Sequence, residues 1–193
     1  MSYDVAGREW VPILIAMHLK DIIMNTAPVL PNIVNATPQG IKPAFEPVIT
    51  SDRHACLLGA IATISATTLE DVFGQAEQLG LPKVGPYFHS LHEEFLIKLL
   101  ARYGWVSTVW KECSKTSELP DLSIGLIDYH SELEMGRAVV IHRAKRSDDG
   151  KPVVYAIEVA ANAPVRVRSD PEAVTPAWYL GIHPMNLSST SKK

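Results

Sequence analysis

Apolar and polar positions change rhythm at Gly104. Before it, apolar residues recur at helical spacing; after it, Val and Ile gather in short strand-like runs. Residues 12–24, "PILIAMHLKDIIM", predict a short amphipathic helix with Pro12 in its first turn. Residues 25–50 hold Pro28, Pro31, Pro38, Pro43 and Pro47, and predict no regular element. Ser51 or Asp52 can cap a helix running to about Ala66. Thr68, with Asp71 three residues on, opens a second helix that Gly80 ends. A third follows Gly85 and Pro86, with Leu91, Phe95, Leu99 and Leu96, Leu100, Tyr103 on one broad stripe.

Five runs after Gly104 predict strands: "WVSTVW", "LSIGLI", "RAVVIHRAK", "VVYAIEVA" and "PVRVR". The "SDDGK" between the third and fourth predicts a hairpin turn, because Asp-Gly accepts positive φ. Helices first and strands afterwards predict an α+β domain, with N-terminal helices packed on a C-terminal, mostly antiparallel sheet. Residues 1–50 read as an extension, 51–185 as the main domain, and 186–193, with "SSTSKK", as a disordered tail.

A chain of 193 residues suits one well-packed domain. Its net charge of −3 gives no reason to expect nucleic acid or an anionic membrane as partner. Cys56 and Cys113 do not make a disulfide framework. No apolar run approaches the roughly 20 residues of a membrane span. "WVPILIAM" lacks the basic flank and cleavage site of a signal peptide. The expected location is therefore cytoplasmic, or secreted without a cleavable signal peptide.

Candidate chemistry centres on "TSDRHACLLGAIATIS", residues 50–65. Cys56, Ala60 and Thr63 share a helix face with Gly59 beside them, so another backbone can approach closely. Cys56 falls within the first helical turn, where the N–H groups and the dipole favour a thiolate and can help hold an oxyanion. A buried cysteine acting as a small hydrophobe has the same pattern. A nucleophilic thiol also needs an imidazole and a group to orient it. His142 ends the run "RAVVIH", and Asn162 follows the next strand across the Asp-Gly turn. Neighbouring strands can bring the two together at one sheet edge.

With "HACLLGAIATIS", "LIKLLARYGW", "GRAVVIHRAK" and "IEVAANAP" in this order, residues 50–165 resemble the papain-like cysteine peptidase superfamily. They are most similar to compact peptidases that cut double-glycine leader peptides, and to related bacterial amidases and effector proteases. The resemblance implies Cys56 as nucleophile, His142 as base and Asn162 as orienting group. It also implies a thiol hydrolase acting on a peptide or amide bond of a peptide or protein substrate, without metal or cofactor. Two departures stand out. No Gln stands a few residues before Cys56 to donate to an oxyanion, and Arg137 occupies the strand start where the family places its histidine. His142, His130 or no histidine then serves as base. A papain-like interaction module without activity is the alternative, and oligomeric state is left open.

Other features read more simply. His54, two residues before Cys56, should point away from it. His89, His92, Glu93 and Glu94 of "HSLHEE" could chelate a metal but read first as a polar helix face. "HRAKR" reads as the flank of an exposed hairpin. Trp105 and Trp110 read as core or as the rim of a groove, and Cys113 as unreactive.

Overall fold

The run of Val and Ile after Arg137 becomes the central strand of the sheet. In the computed structural model, which describes residues 27–37, 40–87 and 89–185, strand β6 (Met135–Arg146) pairs with β5 (Leu122–His130) and β7 (Pro152–Glu158). Beyond β5 lies β9 (Trp178–Pro184), which pairs with β3 (Trp105–Ser107) and β4 (Lys111–Glu112). Beyond β7 lies β8 (Val167–Arg168). β1 (Ile33–Thr37) pairs parallel with the far end of β6 and antiparallel with β2 (Gly40–Lys42). Every other pairing is antiparallel. The described residues thus form an α+β fold with nine strands in one mixed sheet and four helices.

The helices are α1 (Cys56–Ile64), α2 (Leu69–Gln78), α3 (Glu93–Ala101) and the short α4 (Pro171–Val174). Thr68 caps α2 as expected, its Oγ1 accepting from the Asp71 N–H at 3.1 Å. The reciprocal half of a capping box is missing. Asp71 instead accepts from the Thr67 and Tyr103 hydroxyls. The helix expected at residues 12–24 and the tail at 186–193 lie outside the described residues. Among the described residues no single helix is long and apolar enough to cross a membrane.

Two expectations change. The proline-rich segment does form strands, because β1 and β2 fit between its prolines. Pro28 and Pro31 precede β1, and Pro43 follows β2. Strand β9 gave no alternating signal, since Gly181 and Pro184 interrupt it and four consecutive residues are buried.

β6 is covered on both faces, which explains its unbroken apolar run. Ala138, Val140 and Ala144 belong to the cluster that holds the buried side chains of α1, α2 and α3, with α1 packed directly on β6, while Val139 and Ile141 join Tyr179, Ala173 and Val174 in a second cluster. His142 shares the parity of Val140 and is 0% exposed. Its Nε2–H donates to the Pro31 carbonyl at 2.8 Å, so in the neutral ring Nδ1 accepts from the Tyr155 hydroxyl, also at 2.8 Å. Tyr155 in turn accepts from the Ala44 N–H at 3.0 Å. Burial pushes Tyr155 up to about 12, which keeps the hydroxyl protonated. This relay ties both ends of the β1–β2 hairpin to the β6–β7 hairpin.

Burial lowers the His142 pKa, against the raising effects of the Pro31 carbonyl and Asp121. The unfolded chain therefore binds a proton that the folded chain refuses. Stability should be complete above about pH 6.5 and decline as pH falls toward the folded value. Urea unfolding compared at about pH 7.5 and pH 5 should show this loss, and it should shrink in His142→Gln, whose amide can donate and accept without titrating. An unchanged pH dependence in the variant would contradict the relay.

Candidate functional site

The chain is fastened to the sheet just before α1. Thr50 donates its N–H to the Val159 carbonyl at 2.9 Å and accepts from the Ala161 N–H at 2.8 Å, forming a parallel bridge to Ala160. The Thr50 hydroxyl meets the Asp52 N–H at 3.2 Å. Asp52 then caps a 3-10 turn (Arg53–Ala55), its Oδ1 accepting from the His54 N–H at 2.8 Å. Cys56 follows as the first residue of α1, and among the described residues no side chain caps the helix at Ala55.

The small face of α1 works as its composition implied. A Cβ at Gly59 would sit 3.4 Å from the Thr50 methyl and from the Val48 carbonyl, so residues 48–50 lie directly on the helix. Thr63 Oγ1 accepts from the Val48 N–H at 2.9 Å and donates to the Gly59 carbonyl at 2.9 Å. The start of α1 is thereby registered against the end of β7.

Cys56 is 4% exposed and belongs to the core cluster, yet two cavities reach it. The smaller, about 160 Å³, runs from Cys56 and His54 toward Trp110 and Leu126. The larger, about 500 Å³, runs toward His130, Arg137 and Asn162. His130 reaches this cleft through a bulge in β5, where pairing with β6 shifts register between Ile127 and His130. Asp128 within the bulge has φ of +51°, a conformation few non-glycine residues adopt. Asn162 sits on the turn after β7, where the Arg166 guanidinium donates to the Ala160 and Ala161 carbonyls.

The structure therefore brings Cys56 and Asn162 to one cleft and leaves His142 out of it. Ala138 is on the cavity wall, and His142 lies four residues further along β6, about 13 Å at ordinary strand rise. Both its ring nitrogens are engaged by Pro31 and Tyr155. The expectation that His142 stands at a sheet edge is corrected: β6 continues to Arg146, so the ring is interior. His54 is also placed differently from expectation. It precedes α1 on the 3-10 turn and lines both cavities beside Cys56.

Arg137, at the strand start, is committed elsewhere. Its Nε and Nη2 donate to Asp128 Oδ2 at 3.1 and 2.7 Å, and its Nη1 donates to Glu158 Oε2. Glu158 is 1% exposed and also faces Arg168 at 3.4 Å. A lone acid inside the apolar run "YAIEVA" is the sequence signal for such a pair, since a buried carboxylate needs a cation.

The remaining candidates have structural roles. His92 Nδ1 caps α3 by accepting from the Phe95 N–H at 3.3 Å, Glu93 accepts from the Trp110 N–H at 2.8 Å, and Glu94 pairs with Lys98. Among the described residues no three His, Cys, Asp or Glu side chains converge as metal ligands would. Arg146 pairs with Asp148, and Arg143 donates to the Thr116 carbonyl. Trp105 is core at 1% exposure, whereas Trp110 lines the smaller cavity. Cys113 lies in the second cluster; burial, reinforced by Glu118, pushes its thiol pKa up.

The Arg137–Glu158 pair predicts an asymmetric response. Arg137→Leu should cost about 2 kcal/mol in denaturant unfolding, because it strips the nearer of two cations from a buried carboxylate and leaves Arg168 at 3.4 Å. Adding Glu158→Leu should recover part of that loss. A single variant within about 0.5 kcal/mol of the parent would contradict this assignment.

Compared with known proteins, the chain matches no family model and no curated protein sequence.

Proposed function

We propose that this protein is a papain-like thiol hydrolase that cleaves a peptide or amide bond, with Cys56 as nucleophile, His130 as base and Asn162 beside it. The observation carrying this reading is that one cleft is lined by a thiol at a helix start, an imidazole from the bulge in β5 and an asparagine from the turn after β7. The Cys56 helix also packs on β6 of a largely antiparallel sheet, as the papain-like arrangement requires.

In this mechanism the Cys56 sulfur attacks the carbonyl carbon while the N–H groups at the start of α1 face the developing oxyanion. His130 takes the thiol proton and delivers it to the leaving amine as the C–N bond breaks. It next removes a proton from water, and the resulting hydroxide attacks the thioester. The carboxylic acid departs and the thiol is restored. Asn162 holds the imidazole ring.

A second reading, an inactive interaction module on the same scaffold, is favoured by one observation. The position where the family carries its histidine holds Arg137, bound to Asp128 and Glu158.

Alkylation by iodoacetamide from about pH 5 to 9, with the modified cysteine mapped, separates the two. An ordinary thiol with pKa near 8.5 is roughly 0.3% ionised at about pH 6. A Cys56 thiolate held by imidazolium should react about tenfold faster than Cys113 there, after allowing for its lower intrinsic nucleophilicity. His130→Ala should abolish that advantage and His54→Ala should keep it. Loss in His54→Ala instead would overturn the role given to His130. A Cys56 that never outpaces Cys113 would favour the interaction module.

A further inference from the structure

We infer that Arg137 is a positioning residue for the base: it locks the bulge of β5 that carries His130 into the Cys56 cleft. This rests on the hydrolase reading and adds to it the means by which the imidazole is held. His130 is exposed, so its place is set by the main chain beneath it rather than by packing. Between the pairs Ile127–Arg137 and His130–Met135, β5 places Asp128 and Tyr129 against the single Gly136 of β6. A Cβ at Gly136 would lie 3.0 Å from the Ile127 carbonyl oxygen and 3.1 Å from Leu126 Cβ, so the two strands are tightly apposed there. Asp128 has a φ of +51°, and such a conformation in a non-glycine residue persists where its surroundings hold it. Asp128 stands two residues before His130, so a backbone rotation there would swing the ring out of the cleft.

Arg137 supplies the hold. Its Nε and Nη2 both donate to one oxygen, Asp128 Oδ2, at 3.1 and 2.7 Å. The Asp128 side chain is 66% exposed, and an exposed ion pair usually contributes little, because two side chains must be ordered to make it. Here the cation is already ordered. Arg137 Nη1 donates to Glu158, whose side chain is 1% exposed. Glu158 faces Arg168 at 3.4 Å, and Arg168 donates to both Asp170 oxygens at 2.9 and 2.8 Å. Asp170 caps α4 by accepting from the Ala173 N–H at 3.3 Å. Charges of alternating sign thus run from α4 through β8, β7 and β6 to the bulge. Arg137 is the member of that chain that touches both the buried carboxylate and the bulge. The start of β6 thereby supports a base carried by the neighbouring strand.

The pH profile of iodoacetamide alkylation on the full-length protein, with the modified cysteine mapped, tests this. Parent Cys56 should outpace Cys113 about tenfold at about pH 6. Asp128→Gly accepts the positive φ but removes the grip. It should slow Cys56 about tenfold there, to the level of His130→Ala, and change little at about pH 9, where an ordinary thiol is largely ionised. Asp128→Asn keeps one oxygen for both Arg137 N–H groups and tolerates the same φ, so it should retain most of the parent rate. Arg137→Lys keeps a cation for Glu158 but donates from one point instead of a fork, and should behave as Asp128→Gly does. Added to His130→Ala, Asp128→Gly should cause no further loss, because both act through the same imidazole.

Two simpler effects have the opposite sign. Removing a carboxylate beside the cleft would by charge alone favour the thiolate, and unfolding would speed both buried cysteines. Asp128→Gly reacting at the parent rate or faster in mild acid, while His130→Ala is slowed, overturns the positioning role and leaves the hydrolase reading standing. Equal rates in the parent and His130→Ala under those conditions overturn both.

Discussion

The site depends on a two-hydrogen-bond bridge between Thr50 and the end of β7. Thr50 N–H to the Val159 carbonyl, and Ala161 N–H to the Thr50 carbonyl, fix where the chain turns into α1. The Thr50 side chain is buried, its hydroxyl meets the Asp52 N–H, and Asp52 caps the 3-10 turn that delivers Cys56. The same bridge holds the turn bearing Asn162, which Arg166 grips from the other side. Cys56 and Asn162, more than one hundred residues apart in sequence, are thus positioned by one piece of main chain. At Gly59 the helix meets residues 48–50 closely, with room for little more than a methyl group between them.

β6 supplies the other constraint. Its apolar residues are divided by parity between two clusters, and its Arg137 and His142 find their partners within the protein. Arg137 answers the buried Glu158 on one face. His142 joins Tyr155, Pro31 and Ala44 on the other. Buried polar groups left without partners cost several kcal/mol, so these two networks specify which segments can lie beside β6. The first sets the entrance to the Cys56 cleft and the second fastens the β1–β2 hairpin far from it.

Helices α1, α2 and α3 and the β6–β7 hairpin were legible because their signals are local, although α3 begins only at Glu93 and the short α4 was not foreseen. Thr68 caps, Gly80 and Gly104 stop, and Asp149-Gly150 turns, each by a conformational preference of a few adjacent residues. Strands β1, β2 and β9 were not, since they exist through pairing with distant strands and are too short or too evenly buried to alternate. Cys56 and Asn162 were legible as candidates. The placing of His142 was not: the run through Lys145 reads as a strand, but the ring is interior because the Pro31 segment and Tyr155 cover it, and that covering leaves no local signal. The cleft residues His54 and His130 depend on a 3-10 turn and a β-bulge, neither of which leaves a spacing signature.

The central claim is that this fold turns a nearly buried cysteine into a thiolate facing an imidazole. The most direct measurement is the ultraviolet thiolate absorbance of the parent protein minus that of Cys56→Ser, followed from about pH 4 to 10. The account predicts a Cys56 transition below the ordinary thiol value of about 8.5, which moves upward in His130→Ala. A transition at or above the ordinary value, unmoved by that substitution, would contradict it.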